Sequence, residues 1–302
     1  MIAPRRHLRL QHRAERASGN LPPLQIAAER VAATVAQGVH GRRRVGSGET
    51  FWQFRRYRTG DAASAIDWRQ SAKSRHLYIR ETEWEAAQTA WLWRDTSASM
   101  RYRSDDALPT KAERADVLVL ATASLLMRAG ERFTLLGGGI RAATGRRAYD
   151  RLAEIIARDG PDDTGDADDA GLPPFEPLPR YSQAILFGDF LAPPEAVSAR
   201  ISRLAARGVG GVVMQILDPA ERTLPFHGRI RFEGFENEGN ALLGRVESSR
   251  DAYRDRFERH CDSVAELTRR AGWLYLRHET DRSAESALLT LYAVLAPRRR
   301  GH

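Results

Sequence analysis

The sequence predicts an α/β protein: a doubly wound, mostly parallel sheet covered by helices on both faces. Two observations predict it. The short, continuously apolar runs Thr89–Trp93 (TAWLW), Ala184–Phe187 (AILF) and Gly211–Leu217 (GVVMQIL) have the length and composition of strands buried on both sides. Longer stretches with apolar residues at helical spacing alternate with them. Composition agrees. A chain of 302 residues, 42% hydrophobic and 28% charged, can bury a real core, which excludes a disordered or fibrous protein.

In chain order, the opening MIAPRRHLRLQHRAER is basic, nearly free of acids and without an apolar centre. It reads as an exposed basic arm rather than a secretory leader. Residues 22–37 place Leu24, Ala27, Ala28, Val31 and Val35 near helical spacing, with Gly38 and Gly41 as the stop, so residues 1–40 form an arm and an N-terminal helix. From 41 to 86 aromatics alternate with arginines and extended runs stand at Phe51–Phe54 and Leu77–Arg80, a small strand-rich segment. Residues 87–302 carry the α/β rhythm. After TAWLW come a helix at Lys111–Ala129 closed by Gly130, a strand at Arg132–Leu136 and a helix at Arg146–Arg158. AILF then leads to a helix at Glu195–Arg207, and GVVMQIL to a long helix at Leu243–Arg270. A strand at Trp273–Arg277 and a helix at Ala284–Leu295 end the domain. The acidic, Gly- and Pro-rich stretch 159–179 reads as a surface loop.

Several classes fall away. The longest apolar stretch, Val117–Met127, is well short of the about 20 residues a membrane span needs. Cys261 is the single cysteine, so neither an intrachain disulfide nor a multi-cysteine zinc site is available, and a reducing cytoplasm is the expected compartment. The net charge is +8, and all but two of the 47 cationic residues are arginine; the exceptions are Lys73 and Lys111. These arginines are scattered and often stand beside acids, whereas nucleic-acid readers gather charge on one face. Nucleic acid is therefore the weaker expectation. Gly46-Ser47-Gly48 and Gly137-Gly138-Gly139 lack the spacing and the Lys-Ser/Thr ending of phosphate loops and read as turns, so no nucleotide is expected.

Ligands of open parallel sheets bind beyond the carboxyl ends of the strands. There stand Asp95-Thr96-Ser97-Ala98-Ser99 after TAWLW, Gly188-Asp189-Phe190 after AILF, and Asp218-Pro219 after GVVMQIL. Asp95, Ser97 and Ser99 form a D-x-S-x-S pattern. One carboxylate and two hydroxyls on a curling loop are hard oxygens that suit Mg²⁺, Mn²⁺ or Ca²⁺ rather than zinc or copper. Asp189, on the neighbouring strand end, is placed to accept from a metal-bound water. The competing reading makes Asp95 a turn residue and the serines helix caps; the position at a buried strand's end favours the cation. Ser97 has no histidine partner and no G-x-S-x-G elbow, and His260 and Cys261 point about 100° apart on one helix, so no nucleophile–base pair is read.

A strand, D-x-S-x-S-M, a helix and a later strand ending in Gly-Asp-Phe resemble a von Willebrand factor A-type domain with its metal-ion-dependent adhesion site, itself Rossmann-like. The upstream Tyr57-Arg58-Thr59-Gly60-Asp61, Ile66-Asp67-Trp68, Ser71-Ala72-Lys73 and Arg80-Glu81-Thr82-Glu83 narrow the resemblance to the bacterial family named domain of unknown function 58, over about Gly38 to Leu295. The resemblance implies a non-enzymatic, metal-dependent adaptor. Its partner would be a MoxR-type AAA+ ATPase or that motor's client, in the maturation or remodelling of protein complexes, with Mg²⁺ as the first cation. It assigns Asp95, Ser97, Ser99 and Asp189 to the metal, with Thr164 as the second-loop threonine and Thr144 as the weaker candidate. Arg94 stands where an apolar residue is usual, and would either pair with the acidic loop or depress metal affinity. Tyr57, Gly60, Asp61, Asp67 and Trp68 are motif residues of unassigned role, Trp68 being expected to pack the small segment against the α/β core. Two rivals stand beside the adaptor: a hydrolase using a cation held by Asp95 and Asp189 to activate water, and a basic nucleic-acid-binding protein.

Overall fold

The computed structural model describes residues 3–19, 45–46, 50–57, 66–73, 76–83, 89–158, 171–234 and 239–295. The chain divides into two units, residues 28–88 and the remainder. The helix expected at 22–37 lies outside the described residues, as do Gly60, Asp61 and Thr164.

The chain opens not with an arm but with a helix, α1 (Ala3–Ser18). Leu10, Ala14 and Ala17 form a narrow stripe of largely small residues, and all three are buried in the core of the larger unit. Arg128 donates to the carbonyl of Ser18 at 2.6 Å and so satisfies a helix-end acceptor.

The smaller unit holds β1 (Val45–Gly46), β2 (Thr50–Arg56), α2 (Trp68–Ser71) and β3 (Tyr78–Glu83), with antiparallel order β1-β3-β2. Asp67 caps α2 by accepting from the Gln70 N–H at 2.9 Å, and Ser71 Oγ accepts from the Tyr78 N–H at 2.9 Å. Trp68 follows the cap as the first residue of α2 and is 66% exposed.

The larger unit resumes with β4 (Thr89–Arg94), a 3₁₀ turn (Ala98–Arg101), α3 (Lys111–Arg128), β5 (Arg132–Leu135) and α4 (Gly145–Arg158). Next come β6 (Gln183–Gly188), α5 (Pro194–Ala205), β7 (Gly210–Leu217) and α6 (Pro219–Thr223). A hairpin of β8 (Ile230–Glu233) and β9 (Asn240–Leu243) precedes α7 (Arg250–Arg270), β10 (Leu274–Glu279) and α8 (Ala284–Leu295). The central sheet has the order β10-β7-β6-β4-β5, and every pairing in it is parallel. This is the doubly wound α/β architecture. The helix expected from Leu243 begins only at Arg250, because the preceding residues complete the hairpin and a 3₁₀ turn (Val246–Ser249).

Strand side chains alternate between two cores. Ala90, Leu92, Ile185, Phe187, Val212 and Met214 face α1, α3, α4 and α8, while Trp91, Trp93, Ala184, Leu186 and Val213 face α5 and α7. On the second face the Trp273 indole lies over Gly211, where an added Cβ would come within 2.2 Å of the ring. The start of α3 is fixed by a capping box: Thr110 Oγ1 accepts from the Glu113 N–H, and Glu113 Oε2 from the Thr110 N–H, both at 3.1 Å. Lys111 thereby becomes the first residue of the helix.

Candidate metal centre

β5 and β6 lie on opposite sides of β4, and the chain leaving β4 runs to one side while the chain leaving β6 runs to the other. The carboxyl ends of β4 and β6 therefore bound the switch-point crevice where such sheets bind ligands. Asp95 follows β4 and Asp189 follows β6. The Asp95 N–H donates to the Phe187 carbonyl at 2.8 Å, which ties the two strand ends together.

The D-x-S-x-S loop curls at once. The Ser97 N–H donates to Asp95 Oδ1 at 2.8 Å, an Asx turn that brings Ser97 and Ser99 back over the aspartate. Ser97 Oγ and Ser99 Oγ stand 3.0 Å apart, and Ser99 Oγ donates to Asp189 Oδ2 at 2.7 Å. With its proton committed to Asp189, Ser99 keeps its lone pairs on the side of Ser97. Asp95, Ser97 and Asp189 are 0%, 2% and 2% exposed, and Ser99 is half-buried. The structure thus brings together four of the five residues read as metal ligands; the fifth, Thr164, lies outside the described residues.

One glycine makes room for this cluster: a Cβ on Gly188 would fall 2.8 Å from Asp95 Cβ and 3.0 Å from Asp95 Oδ2, whereas Gly171, at φ 94°, passes at ordinary contact distance from Ser97 and Asp95. Beyond Asp189 the backbone is strained, with Phe190 at φ 51°. That turn is held from several sides. Gln215 donates to the Asp189 carbonyl at 2.7 Å, His260 Nε2 donates to the Phe190 carbonyl at 2.8 Å, and the Leu191 N–H donates to Asp189 Oδ1 at 3.2 Å. His260 therefore buttresses the rim rather than pairing with Cys261.

Sequence reading missed the cation already present. Lys111, fully buried, places Nζ 2.8 Å from Asp189 Oδ2 and 2.5 Å from Glu221 Oε1. Glu221 in turn belongs to the capping box of α6, its Oε2 accepting from the Asp218 N–H at 2.7 Å. Asp218 is spent on backbone, accepting from Ser104 N–H at 2.9 Å and Ala220 N–H at 2.8 Å. A faint signal for Lys111 did exist, since a lysine survives there in a chain that otherwise uses arginine almost throughout.

The charges follow. Burial works to raise Asp189, but the charge and hydrogen bond of Lys111, with the Ser99 and Leu191 donors, outweigh it and hold the group below the usual carboxylate range. Burial likewise works against charged Lys111, and its two carboxylates reverse that and keep it protonated. Glu221 is raised, chiefly by burial. Asp95 is pushed up to about 8 by burial first and by the charge of Asp189 second, against the opposing Ser97 bonds. Its Oδ2 is buried without a hydrogen-bond partner among the described residues. Fully ionised, Asp95, Asp189 and Glu221 with the one ammonium leave two negative charges, and Asp218, met by backbone donors alone, adds a third, a surplus that a divalent cation would lower. The donor set therefore fits such an ion. No group of three or more His, Cys, Asp and Glu suited to a metal occurs among the described residues, so serine hydroxyls must complete any ligand set here.

Two expectations are corrected. Arg94 alternates to the opposite face of the sheet from Asp95 and is paired at 3.1 Å with buried Asp116 of α3, so its charge is met inside the core instead of facing the site. Thr144 follows Ala143, which bridges antiparallel to Phe133, and this carries it to the amino end of β5, at the other edge of the sheet from the rim.

A family model described as "Protein of unknown function DUF58" matches residues 53–264. Two relatives, "Uncharacterized protein Rv1480" of Mycobacterium tuberculosis (strain H37Rv) and "Uncharacterized protein Mb1516" of Mycobacterium bovis, are each 27% identical over 278 residues, covering 85% of this chain and 81% of theirs. Among solved structures, "conserved hypothetical protein BatB" from Bacteroides thetaiotaomicron is 17% identical, covers 68% of this chain and 99% of its own, and has a TM-score of 0.39. An "aerotolerance-related membrane protein" from Bacteroides fragilis is 15% identical, with the same coverage and a TM-score of 0.39. An "Uncharacterized Membrane Spanning Protein" from Vibrio fischeri is 15% identical, covers 70% of this chain and 100% of its own, and has a TM-score of 0.19. The cytoplasmic placement expected from the sequence is withdrawn as a correction: a lone cysteine constrains disulfide chemistry and not the compartment, and two of these three structures are themselves named as membrane proteins. As expected, no helix among the described residues is long and apolar enough to cross a membrane.

Proposed function

We propose that this chain, which belongs to the DUF58 family of proteins of unknown function, carries a von Willebrand factor A-like domain that binds a divalent cation at its rim. Through that cation it holds an acidic side chain of a protein partner. The observation that carries the reading is the buried, unpartnered Asp95 Oδ2 beside two serine hydroxyls at the switch point of a parallel sheet. Asp95, Ser97 and Ser99 would hold the ion, and Asp189 acts behind them by accepting the Ser99 hydrogen bond and so aiming that hydroxyl's lone pairs. Mg²⁺ and Mn²⁺ suit this small hard-oxygen set better than Ca²⁺, which prefers more ligands. When bound, the ion supplies an open coordination position for the partner's carboxylate.

A non-enzymatic role is the reading we favour over hydrolysis. Asp189, the carboxylate next to the serines, is tied to Lys111 and held ionised, which leaves it a weak base for activating water. On the family resemblance, the partner is a MoxR-type AAA+ ATPase or its client. The test is thermal unfolding of wild type and Asp95→Ala in Mn²⁺ and in EDTA, paired with capture of such an ATPase from the same organism. An ion at 100 times its dissociation constant should stabilise wild type by about 2.7 kcal/mol and leave Asp95→Ala unmoved. Capture should fail in EDTA and in the variant. Wild type indifferent to Mn²⁺, or capture indifferent to EDTA, overturns the reading.

A further inference from the structure

Lys111 has no part in the D-x-S-x-S pattern, yet its ammonium lies fully buried between two carboxylates that arrive from different strand ends. An ammonium is a compact point charge, whereas a guanidinium is a flat fork of five donors that needs a wider berth. A lysine stands at this position in a chain with 47 cationic residues and only one other lysine.

We propose, resting on the cation reading above, that Lys111 is a built-in counter-cation that competes with the divalent ion for Asp189 and so sets how tightly the rim holds that ion. Asp189 Oδ2 already takes two donors, Lys111 Nζ at 2.8 Å and Ser99 Oγ at 2.7 Å, so it faces the serine as an orienting group and not the ion as a ligand. The ion is then left with Asp95 as its charged ligand and with a fixed positive charge one carboxylate away. Repulsion of that kind is substantial where burial lowers the effective dielectric. The device makes the ion weakly held and exchangeable. It also ties the rim to α6, because Glu221 shares the ammonium while its other oxygen caps that helix.

The test is the Mn²⁺ dissociation constant, read from the paramagnetic resonance of free Mn²⁺, for the full chain and two variants. Lys111→Met removes the ammonium, and Lys111→Met/Glu221→Gln removes it together with one of its carboxylates, easing the burial of unpaired charge if the single variant does not fold. Competition predicts binding at least about tenfold tighter in both variants than in wild type. A lysine that merely braces the rim predicts weaker binding in both. Wild type that binds Mn²⁺ as tightly as or more tightly than the folded variants overturns the role of Lys111 and leaves the cation site standing. Absence of binding in all three proteins removes the cation site and this inference with it.

Discussion

Gly188 gives the sharpest test of where Asp95 sits. Its backbone is not in the left-handed region, so Gly188→Ala adds a methyl group without backbone strain. That methyl would lie 2.8 Å from Asp95 Cβ, 3.0 Å from Asp95 Oδ2 and 3.2 Å from Trp93 Cζ3. Neither side can step away freely. Gly188 ends β6, in register with Gln215 of β7, and the Asp95 N–H is bonded to the Phe187 carbonyl at 2.8 Å. Overpacking of this kind costs about 1–3 kcal/mol, and replacing glycine by alanine returns about 0.4–1 kcal/mol through the unfolded chain. The net loss falls between about 0 and 2.6 kcal/mol, and with contacts as short as 2.8 Å it is expected in the upper half of that range. Gly244→Ala is the control, because a Cβ there meets nothing within 4 Å. The assay is denaturant unfolding in EDTA and again in Mn²⁺. In EDTA Gly188→Ala should lose stability while Gly244→Ala does not. The Mn²⁺ increment should shrink in Gly188→Ala alone, since Asp95 Oδ2 must turn to escape the methyl. Gly188→Ala with wild-type stability and an intact increment would refute the placement of Asp95.

Two pH dependences follow from buried groups. In the metal-free protein Asp95 is pushed up to about 8 from an ordinary 3.8, chiefly by burial, so between those values the folded state binds more protons than the unfolded one and stability falls as pH rises. Asp95→Asn should therefore gain on wild type across that window in EDTA, and a constant difference between the two in pH-resolved unfolding argues against a carboxyl held so high. His278 is lowered to about 3 by burial first and then by Arg114 and Arg282, and its Nε2 accepts from Arg114 Nη1 at 3.2 Å. Here the unfolded chain takes up the proton first, so stability falls as pH drops below 6.5, by up to about 1.4 kcal/mol per pH unit. The same unfolding series on His278→Gln should show that slope reduced, and an unchanged slope would mean that His278 is protonated in the fold.

How much of this was legible in the sequence depended on whether burial left a period behind. β4, β6 and β7 are covered on both faces and therefore read as unbroken apolar runs. The start of α3 carries its capping box in the open, as Thr110 and Glu113. α1 was missed because its buried stripe is Leu10, Ala14 and Ala17, two of them alanines, among arginines that face outward. The β8–β9 hairpin was missed because its side chains are mostly exposed, so no apolar alternation marked it against the helix that follows.

The rim shows why a strand-end carboxylate is a weaker signal than its position suggests. Asp95, Asp189 and Asp218 all stand where the fold puts ligands, and the D-x-S-x-S pattern singles out Asp95 with Asp189 as its neighbour without saying how the two differ. Their partners do. Asp218 is consumed by two backbone donors, one from the loop after the 3₁₀ turn and one from its own helix cap. Asp189 is neutralised by an ammonium that begins its helix 78 residues earlier in the chain, a pairing no local pattern encodes. Asp95 alone keeps a buried oxygen without a partner, and a buried carboxylate oxygen in that state costs free energy unless a proton or a cation meets it. The raised proton affinity of Asp95 and the fit of the hard-oxygen set to a divalent ion are thus two consequences of one cause. The sequence located the crevice; what makes Asp95 its reactive member is that every neighbouring charge has been spent elsewhere.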